Sequence, residues 1–242
     1  MKFSVIIPTL NEEKLLPVIL NQLKDPYIQN KYEIEIVVSD GGSTDSTIEI
    51  AMRSADVVTV HTDSIPQTIA EGRNYGAKAA SGNIFIFLNG DIRIKDVHKF
   101  FDFIESRFVK SSFVAMTCIV SIFPEEEILS DKIFQFIFNT YFHLLNIFGV
   151  GMGRGECQIV KREAFERVGG YNKKMAAGED FDLYKRIKKN GNILFTRKLT
   201  VYESPRRYRK IGYLAVTWSW IENAVSVILK NKSIANEWEQ VR

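Results

Sequence analysis

Short apolar runs alternate with segments of helical period from the first residues onward. Phe3 to Ile7 is a run of strand formers closed by Pro8, which predicts a buried strand. Leu15, Leu16, Ile19, Leu20 and Leu23 then recur at helix spacing and predict a helix with one apolar face. Ile34 to Val38 reads as a second strand, ending at Ser39-Asp40-Gly41-Gly42. Ser43 or Thr44 is expected to cap the next helix, which carries Ile48, Ile50 and Ala51. Val57 to Val60 is a short third strand, and Gln67 to Ala80 is helical until Ser81-Gly82-Asn83 breaks it. Ile84 to Leu88 is a fourth strand, ending at Asn89-Gly90-Asp91. Strand-helix alternation of this kind predicts an α/β architecture with a mostly parallel central sheet flanked by helices.

In open α/β sheets, ligands bind beyond the carboxyl ends of the strands, where the loops converge. Three of the expected strands end in polar loops: Thr9-Leu10-Asn11-Glu12, Ser39-Asp40 and Asn89-Gly90-Asp91. A parallel sheet would bring all three to one crevice. After about residue 110 the pattern changes to longer helices with more aromatic and basic residues. The organisation expected is a binding half over residues 1–110, a second half over 111–205, and a basic, amphipathic helical segment over 206–242.

Composition adds few constraints. Over 242 residues, 45% are hydrophobic and 25% charged, the balance of an ordinary soluble globular chain. A net charge of +3 is too small to imply nucleic acid, and no nucleic-acid partner is expected. Lys198, Arg206, Arg207, Arg209 and Lys210 do crowd together, as a solvated surface or an anion site. Cys118 and Cys157 lack metal or redox spacing and read as small buried hydrophobes. Met1-Lys2-Phe3-Ser4 runs straight into an apolar strand with no signal-peptide pattern, so a cytoplasmic location is the expectation.

Three constellations carry candidate chemistry. Asp40 precedes Gly41-Gly42, and its carboxylate suits either a capping turn or the donor edge of a nucleobase. No G-x-G-x-x-G opens the following helix, so this is not a dinucleotide fingerprint. Asp91 follows the wholly apolar strand Ile84–Leu88, a position suited to a hard cation such as Mg²⁺ or Mn²⁺ held together with substrate phosphates. Arg73, on a helix, has the reach and charge for a diphosphate. Gly178-Glu179-Asp180-Phe181-Asp182 opens a helix with three acids, more than capping requires, and one can serve as a general base.

Taken together, SVIIPTLNEE, VVSDGGSTDST, FLNGD and the stretch from VKREAFERVGGYN to AGEDFDLYKRI resemble a family 2 glycosyltransferase of the GT-A type, a Rossmann-like sandwich. The resemblance runs over roughly residues 3 to 190. It implies inverting transfer of a sugar from a nucleoside-diphosphate sugar. Pro8, Thr9 and Glu12 would frame the nucleotide, Asp40 and Gly41 would meet its base, and Arg73 would lie near the diphosphate. Gly90 and Asp91 would close the donor site with the metal on Asp91, beside Glu179, and Asp180 would be the catalytic base. Ser204-Pro205-Arg206-Arg207 is similar to a segment of membrane-associated members whose basic residues meet phosphate. Asn89 departs from the family's D-x-D pattern and leaves the metal one carboxylate short. The processive synthases' Q-x-x-R-W motif is absent, which favours addition of a single sugar.

Two later helices bear on the acceptor. Gln135, Asn139, His143 and Asn146 form a polar stripe on an otherwise apolar helix from Ile133 to Phe148. Ser219, Glu222, Asn223 and Ser226 do the same from Leu214 to Leu229, beside Trp218 and Trp220. Such helices lie either in the core or at a membrane interface, and the latter suits peripheral membrane association and a polyprenyl-phosphate-linked acceptor. The competing readings are a catalytically silent nucleotide-sugar-binding protein and a sugar-nucleotide pyrophosphorylase. The second of these expects a Gly-rich loop where Pro8-Thr9-Leu10-Asn11-Glu12 stands.

Overall fold

Two apolar faces on each of the first strands decide the architecture. The computed structural model describes residues 2–175 and 177–230, except the side chains of residues 223–225 and 227–230. Its strands are β1 (Lys2–Thr9), β2 (Glu33–Asp40), β3 (Val57–Val60), β4 (Ile84–Leu88), β5 (Ile92–Ile94), β6 (Phe113–Ile122), β7 (Cys157–Lys161) and β8 (Asn192–Glu203). They form one sheet in the order β3-β2-β1-β4-β7-β6-β8-β5. The β3-β2-β1-β4 half is parallel, as the strand-helix alternation predicts. Beyond β4 the sheet is mixed: β7 runs antiparallel to both β4 and β6, β8 is parallel to β6, and β5 is antiparallel to β8.

The helices are α1 (Leu16–Leu23), α2 (Pro26–Lys31), α3 (Thr47–Ser54), α4 (Ile69–Ala79), α5 (Val97–Phe103), α6 (Leu129–Ile147), α7 (Arg162–Arg167), α8 (Glu179–Lys188), α9 (Arg206–Ile211) and α10 (Tyr213–Lys230). Side chains alternate between the two sheet faces. Val5, Ile7, Ile36, Val38, Ile84 and Ile86 enter one core with α1, α2 and α5. Ile6, Val37, Phe85 and Phe87 enter the other with α4, α7 and α8. A sheet covered on both faces needs strands apolar throughout, which explains why IFIFL shows no alternation. Cys118 and Cys157 are both buried free thiols, as expected.

The N-terminal boundaries need two corrections. Pro8 does not stop β1. It lies inside the strand opposite Ser39, beyond the last residue that pairs with β4. Neither Ser43 nor Thr44 caps α3, whose N-cap is Ser46. Both are committed elsewhere: the Ser43 hydroxyl accepts from the Asn11 amide at 2.7 Å, and the Thr44 amide donates to Asn11 Oδ1 at 2.6 Å. These bonds join the loop after β1 to the loop after β2. Asn11 itself holds a left-handed backbone (φ 50°), which asparagine tolerates.

Helix α4 begins where Thr68 and Glu71 form a reciprocal capping box, Glu71 N to Thr68 Oγ1 at 3.2 Å and Thr68 N to Glu71 Oε2 at 3.0 Å. It then presses on β1 and β2 at Gly76, where an added Cβ would lie 2.5 Å from Ile6 Cγ2. Gly76→Ala is therefore expected to lower folding stability by about 1–3 kcal/mol through overpacking, read as an earlier midpoint in urea unfolding. An unchanged midpoint would show that α4 is free to shift.

Candidate active site

One cleft of about 1130 Å³ gathers nearly all the residues singled out in the sequence. Pro8 and Thr9 enter from the end of β1 and Glu12 from the loop after it, Gly41 from the loop after β2, and Gly90 and Asp91 from the loop after β4. Arg73 comes from α4, Glu179 and Asp180 from the start of α8, and Arg206 and Arg207 from α9. Asp40 is the exception. Its carboxylate is fully buried behind the wall, where Oδ1 accepts from the amides of Gly42 (2.9 Å) and Ser43 (2.7 Å). Its Oδ2 accepts from the hydroxyls of Thr9 (3.1 Å) and Ser43 (2.5 Å). Four donors already fill this carboxylate, so in this structure it braces the two loops.

Arg73 reaches the cleft from a buried position. It is 1% exposed, and its guanidinium donates to Glu179 Oε1 at 2.6 Å, to Asn89 Oδ1 at 3.0 Å and to the Gly155 carbonyl at 3.0 Å. Its Cζ lies 5.2 Å from the centre of the Tyr171 ring. Asn89, the departure from the two-acid pattern, is thus the neutral acceptor for this buried cation.

Asp180 sits one residue into α8, after Gly178, whose left-handed backbone (φ 76°) turns the chain into the helix. Its Oδ2 accepts from the Gly155 amide at 2.9 Å and its Oδ1 from the Phe181 amide at 2.8 Å. Burial pushes this carboxyl up to about 7, with the charges of Glu179 and Glu156 adding and Arg73 opposing. Across the cleft, Arg206 Nη2 donates to Glu12 Oε1 at 2.5 Å and to Asp91 Oδ2 at 3.0 Å. Burial raises the Asp91 carboxyl above its usual range, against the pull of Arg206.

A further group of charged residues was not identified from the sequence. Arg154 donates to Glu203 Oε1 at 2.8 Å and to Glu156 Oε2 at 3.2 Å, and all three line the cleft. Burial and the neighbouring Glu156 push Glu203 up to about 8. Burial also opposes ionisation of Glu156, but Arg154 outweighs it and holds that carboxyl below its usual range. One arginine therefore faces two acids whose ionisation is shifted in opposite directions. The one signal for Glu203 was its place as the last residue of a strand, and β8 (NILFTRKLTVYE) is too polar for that to stand out. Arg154 and Glu156 stand in the glycine-rich GMGRGE, which carries no recognisable spacing.

Among the described residues, no three His, Cys, Asp or Glu side chains converge as a metal cage. Mg²⁺ and Mn²⁺ do not need one, because a single carboxylate plus substrate phosphate oxygens suits them. Asp91 on the cleft wall fits that requirement. Breaking the Arg73–Glu179 pair leaves a charge buried and unmatched, so Arg73→Ala is expected to lose about 3–5 kcal/mol of stability in denaturant unfolding. A loss near that of a surface pair, below about 1 kcal/mol, would mean that water reaches the pair.

A stretch of 93 residues is 37% identical to a PGL/p-HBAD biosynthesis glycosyltransferase of Mycobacterium bovis, covering 37% of this chain and 35% of that protein. A stretch of 98 residues is 34% identical to the undecaprenyl-phosphate 4-deoxy-4-formamido-L-arabinose transferase of Pseudomonas fluorescens, covering 37% of this chain and 28% of the relative. The chain thus matches only about a third of the length of these relatives. A mannosyltransferase from Pyrobaculum calidifontis, solved with GDP-Man and Mn²⁺, superposes with a TM-score of 0.63 at 22% identity, over 84% of this chain and 56% of that one. This likeness shows a shared GT-A fold. The profile of Glycosyl transferase family 2 matches residues 4–169, and the chain, with its sheet and cleft arranged in this way, belongs to that family.

Proposed function

We propose that the protein moves a sugar from a UDP- or GDP-linked donor to an acceptor hydroxyl or phosphate by inverting single displacement. The position of Asp180 is the observation that carries this reading. It is a carboxylate on the wall of the cleft that also holds Asp91, Arg206 and Arg207, and its pKa of about 7 suits proton transfer near neutral pH. Each Asp180 oxygen accepts one backbone N–H, which fixes the group and leaves lone pairs for an acceptor hydroxyl. Asp180 takes the acceptor's proton as the new glycosidic bond forms, and the bond to the diphosphate breaks on the opposite face of the sugar. Arg206 and Arg207 place positive charge beside the departing diphosphate. A bound Mg²⁺ or Mn²⁺, held by Asp91, would supply Lewis-acid neutralisation of that leaving group. The Mn²⁺ and GDP-Man of the archaeal mannosyltransferase structure support this assignment.

The acceptor we assign is a lipid-linked one, used at the cytoplasmic face of a membrane. Support comes from the undecaprenyl-phosphate relative and from the mostly apolar wall that Phe138, Phe142, Leu145 and Trp220 give the cleft beyond Asp180.

A thermal-shift screen of UDP- and GDP-sugars should single out one donor, since a ligand at a hundred times its Kd stabilises by about 2.7 kcal/mol. The metal-dependent part of that shift should vanish in Asp91→Ala. Asp180→Asn should keep donor binding and lose at least ~10²-fold in kcat, the usual contribution of a general base. In the unmodified protein, kcat/KM should fall tenfold per pH unit below about 7, because only the ionised carboxylate accepts a proton. Near-normal transfer by Asp180→Asn would remove Asp180 from the mechanism. Donor binding without transfer under any condition would leave a silent binding protein.

A further inference from the structure

Helix α6 is amphipathic in the wrong sense for a helix in water. Its buried positions include Asp131, Gln135, Asn139 and Asn146, with Phe142 the one aromatic among them. Leu129, Ile133, Phe136, Ile137, Tyr141, Leu144 and Ile147 are exposed. A surface helix of a globular protein does the reverse and turns its apolar stripe to the core. The polar stripe seen in the sequence therefore points inward, with His143 half-buried beside it.

That orientation is fixed by bonds. Asn139 pairs with both backbone groups of Val120, at 2.8 and 3.1 Å. Asn146 does the same with Met152, at 2.8 Å each way. Gln135 accepts from Arg154 at 2.7 Å and donates to Glu203 at 2.8 Å, and Asp131 accepts from Arg209 at 2.9 Å. Rolling α6 to hide its apolar face would leave all of these buried groups unsatisfied.

The apolar surface continues onto α10. Trp220 packs 5.1 Å from Phe138 and 6.0 Å from Phe134 by ring centres, which sets the two helices side by side. Leu214 and Trp218, on the outer side of α10, are 89% and 63% exposed. Ser219 and Glu222, from the second polar stripe, are exposed beside them, whereas Asn223 lies outside the described side chains. Along α6 alone the surface runs 19 residues, about 28 Å. A contiguous apolar face of this length marks an interaction site rather than scattered exposed residues. Tyr141 and Ile221 belong both to it and to the cleft wall, so the apolar part of the cleft opens directly onto it.

We propose that the outer faces of α6 and α10 dock on an anionic lipid bilayer, with the cleft mouth turned toward it. Three observations favour a bilayer over a protein partner. The outward face of α6 carries no acid, and exposed Lys132, Arg197, Lys198 and Lys210 flank the two helices. Glu222, on the outer side of α10, accepts from Trp218 Nε1 at 2.6 Å, and Glu125 and Glu127, beside α6, are paired with Arg93 and Lys132. Aliphatic residues mix with Tyr141, Phe136 and Trp218, as at a headgroup boundary. Among the described residues no helix is long and apolar enough to cross a membrane, so the surface lies on the bilayer. An acceptor could then keep its apolar chain in lipid while its head reaches Asp180.

The inference rests on the lipid-linked acceptor proposed above, and the test separates the two. The whole chain is sedimented with phosphatidylglycerol-containing or pure phosphatidylcholine vesicles. The chain should bind the anionic vesicles, more weakly at high salt and on neutral ones. A triple variant, Ile133→Ser with Phe136→Ser and Ile137→Ser, should bind at least tenfold more weakly, with its circular dichroism and nucleotide thermal shift unchanged. Leu214→Ser with Trp218→Ser should lower binding independently, and decides the matter if the triple variant misfolds. No vesicle binding, binding unchanged in the folded variants, or a lipid-free dimer that these substitutions dissociate would each overturn the proposal. Binding to plain anionic vesicles, with no sugar transferred once polyprenyl phosphate is added, would leave the surface standing and remove the acceptor assignment.

Discussion

The cleft is assembled on one buried cation, the guanidinium of Arg73. It leaves α4 in the first half of the chain and meets Glu179 at the start of α8, Asn89 after β4 and the carbonyl of Gly155 before β7. A charge so deeply buried is tolerable only when it is paired, and three segments are held against α4 to meet its two Nη atoms, while Nε stays without a partner. Gly155 in turn donates to Asp180, so the same joint sets the carboxylate proposed as the base. The replacement of an acid by Asn89 follows this economy of charge. Glu179 already balances Arg73, and a second acid at that point would add unmatched negative charge.

Charge across the rest of the cleft is arranged in small groups. Arg206 lies between Glu12 and Asp91, while Arg154 lies between Glu156 and Glu203. The acids outnumber the arginines that face them, and burial raises the carboxyls of Asp91, Asp180 and Glu203. A cleft of this kind is poised to take up positive charge or to hold protons. In the proposed reaction the diphosphate with its divalent cation takes the Arg206 side, and the acceptor hydroxyl takes the Asp180 side. The polar face of α6 helps to hold the Arg154 group, since Gln135 bonds both Arg154 and Glu203. The inversion of that helix and the geometry of the cleft thus have one origin.

Much of the first half was legible because local pattern and tertiary role coincide there. The stretches Val5-Ile6-Ile7 of β1, Ile36-Val37-Val38 of β2 and IFIFL of β4 are apolar on both faces, and helices cover both faces of the sheet. The mixed half was not legible. Whether β7 runs parallel or antiparallel depends on which neighbours it meets, and hydrophobic period carries no direction. Ser43 and Thr44 looked like caps, yet Asn11, 32 and 33 residues away, takes their hydrogen bonds. Asp40 suited either a capping turn or a nucleobase contact, and in the structure four local donors surround its carboxylate.

By itself the sequence determined the family, the layered α/β architecture and the set of loops that converge on one crevice, because these follow from residue type and order along the chain. Only the tertiary structure decided what each charged side chain faces. Arg154 and Glu156, just before β7, lie up to 49 residues from Glu203 at the end of β8, and the three meet because β6 pairs with both strands. The two sides of α6 have the same period whichever one points inward. Burial and pairing are properties of distance in space, and they set both the ionisation of Asp180 and the direction in which α6 turns its apolar face.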